Sequence, residues 1–296
     1  MAGEIKAFKV DKGYKKVWEF SIGDMSWLKW HTKANVLMAG SDTGEIYIWR
    51  IPSGDCKVLQ GSGAKCEVAV LTSDNLKLAA GYGDGCFKLW DIKTAQLVYN
   101  CPPETKKVDE NEDENAVKVE EDEESQAITT IDTDRENNLI IAGGVNGIAK
   151  LFSSTGIVGV LSASGGLRSI AGRPVVESSP VEKVLLDCPD FDLKVACTGS
   201  LNGKVFIWDA AHQSIRNECQ DDNPAGITTM LWAKEQTLIA GTLGGAIKAW
   251  NIRDGRMKYT LLGHANNIHD LRYNEKKNLL LAVSEDRTAK LFKLPM

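Results

Sequence analysis

Apolar and polar positions along this chain alternate in short bursts, with no long rows at helical spacing. Runs such as Val36-Leu37-Met38-Ala39-Gly40 and Asn138-Leu139-Ile140-Ile141-Ala142 are apolar almost throughout and predict short strands buried on both faces. Segments such as Lys204-Val205-Phe206-Ile207-Trp208 follow with a period of two, predicting strands that alternate between two environments. Between the two kinds of segment stand small-residue turns: Asp84-Gly85, Asn146-Gly147, Asn202-Gly203 and Gly244-Gly245. Their glycines supply the positive φ that a tight hairpin needs.

The alternating segments recur. Seven of them end on an aromatic residue, at Phe8, Trp49, Trp90, Phe152, Trp208, Trp250 and Phe292, with spacings of 41, 41, 62, 56, 42 and 42 residues. The two long intervals each hold their excess in one stretch, so register survives over nearly the whole chain. A repeat of this length accommodates four short strands. One such sheet alone is marginal, so stability has to come from sheets packed on one another.

The repeat resembles the WD40 family. Trp90-Asp91 and Trp208-Asp209 match that family's repeat-ending dipeptide, whereas Trp49-Arg50 and Trp250-Asn251 depart from it. The resemblance implies an all-β WD40 β-propeller, with about six blades recognisable. It also implies a hydrogen-bonded cluster of His, Asp, Ser or Thr, and Trp inside a blade. Only the last repeat carries His264, Ser284 and Asp286 together, and there Phe292 replaces the Trp. Asp84, Trp90 and Trp208 are the other surviving members. All six are expected to be structural, with no catalytic role.

Aligning Gly3-Glu4-Ile5 with Gly44-Glu45-Ile46 places Met1 within the turn before a third strand. Residues 1–20 are thus expected to form a half-blade, with Ile5 to Val10 as third strand and Lys16 to Phe20 as fourth. Residues 21–296 are expected to form the remaining blades, the last ending on its third strand, Ala289 to Lys293. An N-terminally shortened form of a seven- or eight-bladed ring is favoured over a six-bladed ring with a spare strand, because a leftover half-blade exposes an unpaired edge.

Two insertions interrupt the period. Residues 102–126 are expected to be an acidic, disordered loop. Between Glu104 and Glu124 eleven carboxylates face three lysines, a net charge of −8 in a chain whose total is −5. The carboxylates assigned to partner binding are Asp109, Glu110, Glu112, Asp113, Glu114, Glu120, Glu121, Asp122, Glu123 and Glu124. Such a segment can attract a basic partner and would repel phosphates, which argues against direct nucleic-acid binding. Residues 162–180, rich in Ser and Gly, are expected to be a flexible loop. Both insertions follow a fourth strand, and in a propeller such connections open on one face. That face is the expected partner site.

Other chemistry finds little support. Gly199-Ser200-Leu201-Asn202-Gly203-Lys204 is one residue short of a phosphate loop and lies on a strand–turn–strand. Seven dispersed cysteines without a C-x-x-C pair, and only four histidines, argue against a metal site and for a reducing compartment. Neither a cofactor nor a metal is expected. No apolar stretch reaches the roughly 20 residues needed to span a bilayer, and no secretory signal is visible at the N-terminus. Trp27 and Trp30 are expected to pack between blades, and His269 to be a packed or surface residue. Ser179-Pro180 is a weak candidate phosphosite.

Three segments are more specific than the repeat: Gly23-Asp24-Met25-Ser26-Trp27-Leu28-Lys29-Trp30-His31, Pro52-Ser53-Gly54-Asp55-Cys56-Lys57 leading to Gln60-Gly61, and Gly81-Tyr82-Gly83-Asp84-Gly85. They resemble one branch of the WD40 family. Its fungal member is a dedicated chaperone for a newly made large-subunit ribosomal protein with a basic N-terminal segment, and its animal members are associated with cell migration. The resemblance implies a non-enzymatic scaffold that binds protein partners; the acidic insertion adds the expectation of a partner with a basic segment, and the chain is expected to be monomeric. Its expected place is the cytoplasm, with the nucleus and the membrane periphery as alternatives. The competing roles are a migration or signalling scaffold and, from Trp250-Asn251-Ile252-Arg253, a cullin ubiquitin-ligase receptor.

Overall fold

The computed structural model describes residues 3–103, 126–136, 138–162, 169–170, 173–174 and 179–295. Residues 1–71 with 75–128 form one compact unit, and residues 72–74 with 129–296 form a second. Both are built from small antiparallel sheets.

The first unit begins with a hairpin of β1 (Gly3–Lys9) and β2 (Lys15–Ile22). A four-stranded sheet follows, in the order β3 (Met25–Trp30), β4 (Val36–Ser41), β5 (Ile46–Arg50), β6 (Cys56–Leu59). The next sheet has the same order: β7 (Cys66–Leu71), β8 (Lys77–Tyr82), β9 (Phe87–Asp91), β10 (Gln96–Cys101). Strand β1 stops at Lys9, one residue earlier than the pattern predicts. Val10–Lys12 instead make a 3-10 turn closed by Gly13 at φ +70°, a left-handed conformation that glycine adopts without strain.

The second unit contains three four-stranded sheets and one of three strands. They are β11 (Ile128–Thr133) to β14 through β12 (Ile140–Gly144), β13 (Ile148–Ser153) and β14 (Gly156–Ser162), then β17 (Val181–Leu186), β18 (Val195–Ser200), β19 (Val205–Asp209) and β20 (Ser214–Glu218). A two-residue pair, β15 (Ser169–Ile170) with β16 (Arg173–Pro174), lies in the connection between them. The last two sheets are β21 (Ile227–Ala233), β22 (Thr237–Thr242), β23 (Ile247–Asn251), β24 (Met257–Leu261), and β25 (Ile268–Asn274), β26 (Leu279–Ser284), β27 (Ala289–Lys293). Strand β12 starts two residues later than its apolar run. The buried Asp134 side chain accepts the backbone N–H groups of Asn138 and Leu139 at 2.9 and 3.1 Å, which holds both in the preceding turn.

The period-two segments do not divide core from solvent. In β19 all of Val205, Phe206, Ile207 and Trp208 are buried. Val205 and Ile207 join one core with Leu238, Ala240 and Trp250, while Phe206 and Trp208 join another with Ile141, Leu151 and Val184. Alternation here sorts side chains between the two inter-sheet cores on either side of a strand. The same holds in the first unit, where Met38 packs with Ile46 and Ala69, and its neighbours Leu37 and Ala39 pack with Ile5 and Trp49.

Glycine in the second strand sets how closely successive sheets approach. A Cβ on Gly143 would lie 2.7 Å from Val181, one on Gly199 2.7 Å from Ile227, and one on Gly241 2.5 Å from Ile268. Each partner is the first residue of the next sheet's first strand, so the strand core of the repeat is shaped by a missing methyl against a β-branched side chain.

Candidate protein-binding surface

In the first unit, strand pairing defines two ends. Met25 pairs with Ser41, Cys66 with Tyr82 and Cys101 with Phe87, so the turns after β4 and β8, the approaches to β3 and β7, and the exit of β10 share one end. The acidic insertion leaves β10 at this end. Asp109, Glu110, Glu112, Asp113, Glu114, Glu120, Glu121, Asp122, Glu123 and Glu124 themselves lie outside the described residues.

The same end carries carboxylates that composition alone does not single out: Asp24, Asp42, Glu45, Glu67 and Asp84. The Ser26 hydroxyl donates to Asp42 at 3.1 Å. Glu45 receives hydroxyl donors from Thr43 and, at 2.8 Å, from Ser41, and these hold its carboxyl below the usual range. Hydrogen bonds to the charged form keep it ionised. Asp84 accepts the Cys86 backbone N–H at 2.9 Å, fixing the hairpin turn. Against these stands Lys65, ion-paired to Glu67 at 2.8 Å.

A second feature that the sequence pattern does not reveal is a lysine as the second residue of several third strands. Lys88 Nζ donates to the carbonyls of Gln60 and Gly61, Lys248 to that of Asn223, and Lys290 to that of Gly263. Each fastens the connection that leads into its own sheet. Lys88 also lies over the rings of Tyr82 and Trp90, 5.9 and 5.7 Å from their centroids. The alternating pattern makes these lysines look like solvent-facing residues.

The structural residues expected from the repeat are only partly brought together. His264 is buried, and its Nδ1 meets Asp286 at 2.8 Å and the Thr288 hydroxyl at 3.2 Å. Ser284 does not join the imidazole. Its hydroxyl donates to the Asn266 carbonyl at 2.8 Å and accepts the Asp286 N–H, because the turn holds it against the connection. His264 Nε2 has no partner among the described residues, and the Phe292 ring that replaces Trp lies 6.2 Å away with no polar atom to offer. Hydroxyl and backbone donors, with His264, hold the Asp286 carboxyl far below its ordinary range. Trp208 belongs to another sheet, where its indole N–H donates to Thr198 at 3.0 Å, a partner that no motif in the sequence marks. The Trp90 N–H is buried without a partner among the described residues, although Asp84 lies in the same sheet's turn.

Trp27 packs over Gly40 and its N–H reaches the Cys66 sulfur at 3.4 Å, whereas Trp30 is exposed. His269 is exposed on β25. Ser179 accepts the Asn202 N–H, and of Gly199 to Lys204 the first two residues end β18 while Leu201 to Lys204 turn into β19. The cysteines carry free thiols. Burial pushes Cys66 and Cys219 up to about 12 and Cys86 up to about 11, so they act as small apolar side chains. Among the described residues no three His, Cys, Asp or Glu side chains cluster as a metal site, and no helix is long and apolar enough to cross a membrane.

Residues 255–293 match the family model "WD domain, G-beta repeat". The chain is 30% identical over 301 aligned residues to angio-associated migratory cell protein from Homo sapiens and from Pongo abelii, covering 99% of this chain and 63% of those relatives. The chain thus spans less than two thirds of their length. Its structure is similar to the crystal structure of Saccharomyces cerevisiae Sqt1, with a TM-score of 0.75 at 14% identity, covering the whole of this chain and 80% of the other. Residues 255–293 thus form a WD repeat, and the chain has the β-propeller fold.

Proposed function

We propose that this chain is a non-enzymatic scaffold that captures a basic protein segment at the acidic end of its first unit, and that it serves in the cytoplasm as a chaperone or assembly factor for a basic ribosomal protein. The observation that carries this reading is the gathering of Asp24, Asp42, Glu45, Glu67 and Asp84 at the end from which the acidic insertion emerges. Carboxylates on a rigid frame raise the local concentration of a cationic partner and its rate of encounter. The branch of the family that the Gly23–His31 segment resembles includes a ribosomal-protein chaperone, which supports the choice of partner.

Binding of a fluorescent dodecapeptide rich in Lys and Arg tests the reading. The affinity should fall by about tenfold or more between 50 and 300 mM salt, and again in the Asp42→Lys, Glu45→Lys double variant. An affinity indifferent to salt, or a native partner that is acidic, would overturn it.

The similarity to angio-associated migratory cell protein over 99% of the chain favours a second reading, a scaffold in cell migration. Affinity purification separates the two. Nascent ribosomal proteins among the partners support the first, and membrane-peripheral signalling proteins in their place support the second. A cullin-ligase receptor instead predicts adaptor binding lost on Arg253→Ala.

A further inference from the structure

The opposite end of the first unit carries a groove of different character. It is about 490 Å³ in volume and lies between the sheet of β3–β6 and the sheet of β7–β10. Its floor is aliphatic, made by Val36, Ile48, Leu76 and Ile92, and Leu76 is 55% exposed. Its rim carries Arg50, Lys57 and Lys93 against one carboxylate, Asp55.

The walls are fixed before any ligand arrives. On one side the His31 ring meets the Asn75 carbonyl at 3.2 Å and the Thr32 hydroxyl donates to the Asn75 side chain at 2.5 Å, tying the two sheets together. On the other side Lys57 Nζ donates to the Lys93 carbonyl, again across the two sheets. Asp55 is engaged by the Ser53 hydroxyl at 2.8 Å. The Arg50 guanidinium, on an exposed residue at the end of β5, makes no side-chain hydrogen bond or ion pair among the described residues. An unpaired guanidinium presents a planar fork of donors suited to a carboxylate. Beside it the exposed leucine offers a place for an apolar side chain.

We propose that this groove docks an acidic peptide segment in which a bulky aliphatic residue is flanked by Asp or Glu. The aliphatic side chain covers Leu76 and Ile92, and a neighbouring carboxylate pairs with Arg50. The excess of cations on the rim selects the acidic peptide and disfavours the basic segment assigned to the other end of the same strands. The groove therefore takes a second class of partner, and it stands or falls separately from the function proposed above.

The test is fluorescence anisotropy on the whole chain with three capped dodecapeptides: four Glu around a central Leu, the same with Ser for Leu, and the same with Lys for Glu. The Glu–Leu peptide should bind, and both replacements should weaken it by about tenfold or more. Arg50→Glu and Leu76→Asp, both at exposed positions, should each weaken it to a similar degree with an unchanged melting temperature. Asp42→Lys with Glu45→Lys should leave it unchanged, which separates this result from the acidic-end reading. Absence of binding by the Glu–Leu peptide, or binding that survives both groove variants, would overturn the proposal. So would Arg50-dependent binding to phosphatidylserine vesicles with none to the peptide, which would mark a lipid-headgroup site.

Discussion

Lys248 and Asp221 meet at 2.6 Å with side chains only 7% and 8% exposed. Asp221 also accepts the Asn223 N–H at 3.1 Å, and Lys248 donates to the Asn223 carbonyl, so a three-membered network closes the connection before β21. Removing one charge leaves the other buried alone. Lys248→Met is expected to destabilise by roughly 3–5 kcal/mol, and adding Asp221→Leu should recover a large part of that loss. Denaturant titration of the two single variants and the double variant measures the coupling; additive losses would remove the pair from the account.

Burial pushes the Asp132 carboxyl up to about 6, against the lowering effect of the Leu186 N–H that it accepts at 2.8 Å. A carboxyl in the unfolded chain titrates near 3.9. Below both values it is protonated in both states, and above both it is charged in both. Between them the folded state binds the proton more tightly, so stability falls as pH rises from about 4 to about 6. Asp132→Asn keeps an acceptor for Leu186 and removes the charge. The rise to about 6 is worth about 3 kcal/mol, so its melting temperature should exceed the parent's by roughly 5–10 °C at pH 7.5 and match it at pH 3.5. An equal gain at both values would mean that packing, not charge, is responsible.

The buried bond from Trp208 to Thr198 gives a sharper check on the repeat's polar cluster. Thr198→Val keeps the shape and strands the indole N–H, a loss expected at about 1–3 kcal/mol. Thr198→Ser, which restores the hydroxyl, should recover most of it. Equal losses in both variants would assign the effect to the methyl group.

The contact of Gly241 with Ile268 predicts an overpacking effect. Gly241→Ala should destabilise by roughly 1–3 kcal/mol. Combined with Ile268→Ala, the loss should fall short of the sum, because the two side chains compete for one space. Thermal melts of the four proteins in the cycle decide this.

Much of the architecture was legible because the apolar second strand and the aromatic residue closing the third keep one spacing within each repeat, and each insertion falls between repeats. What escaped was partnership. Thr198 lies ten residues before Trp208, and β18 pairing, not proximity in sequence, brings their side chains together. Ser284 is close to Asp286 in sequence yet turns to the Asn266 carbonyl. Lys88 and Lys248 occupy positions that a period of two assigns to solvent, yet β9 and β23 are packed on both faces, and Lys290 holds the same position on β27, whose other face leaves Leu291 exposed. Asp24, Asp42, Glu45 and Glu67 are scattered among separate turns and strands, so no window of composition marks them. Only the pairing of strand ends gathers them.

The lysines that fasten each incoming connection also bear on recognition. A free surface loop loses conformational freedom when a partner settles on it, and this loss subtracts from affinity. Where Lys88 already holds the carbonyls of Gln60 and Gly61, that loss has occurred during folding. A partner settling there would meet a preorganised surface, and more of the contact energy would remain as binding free energy.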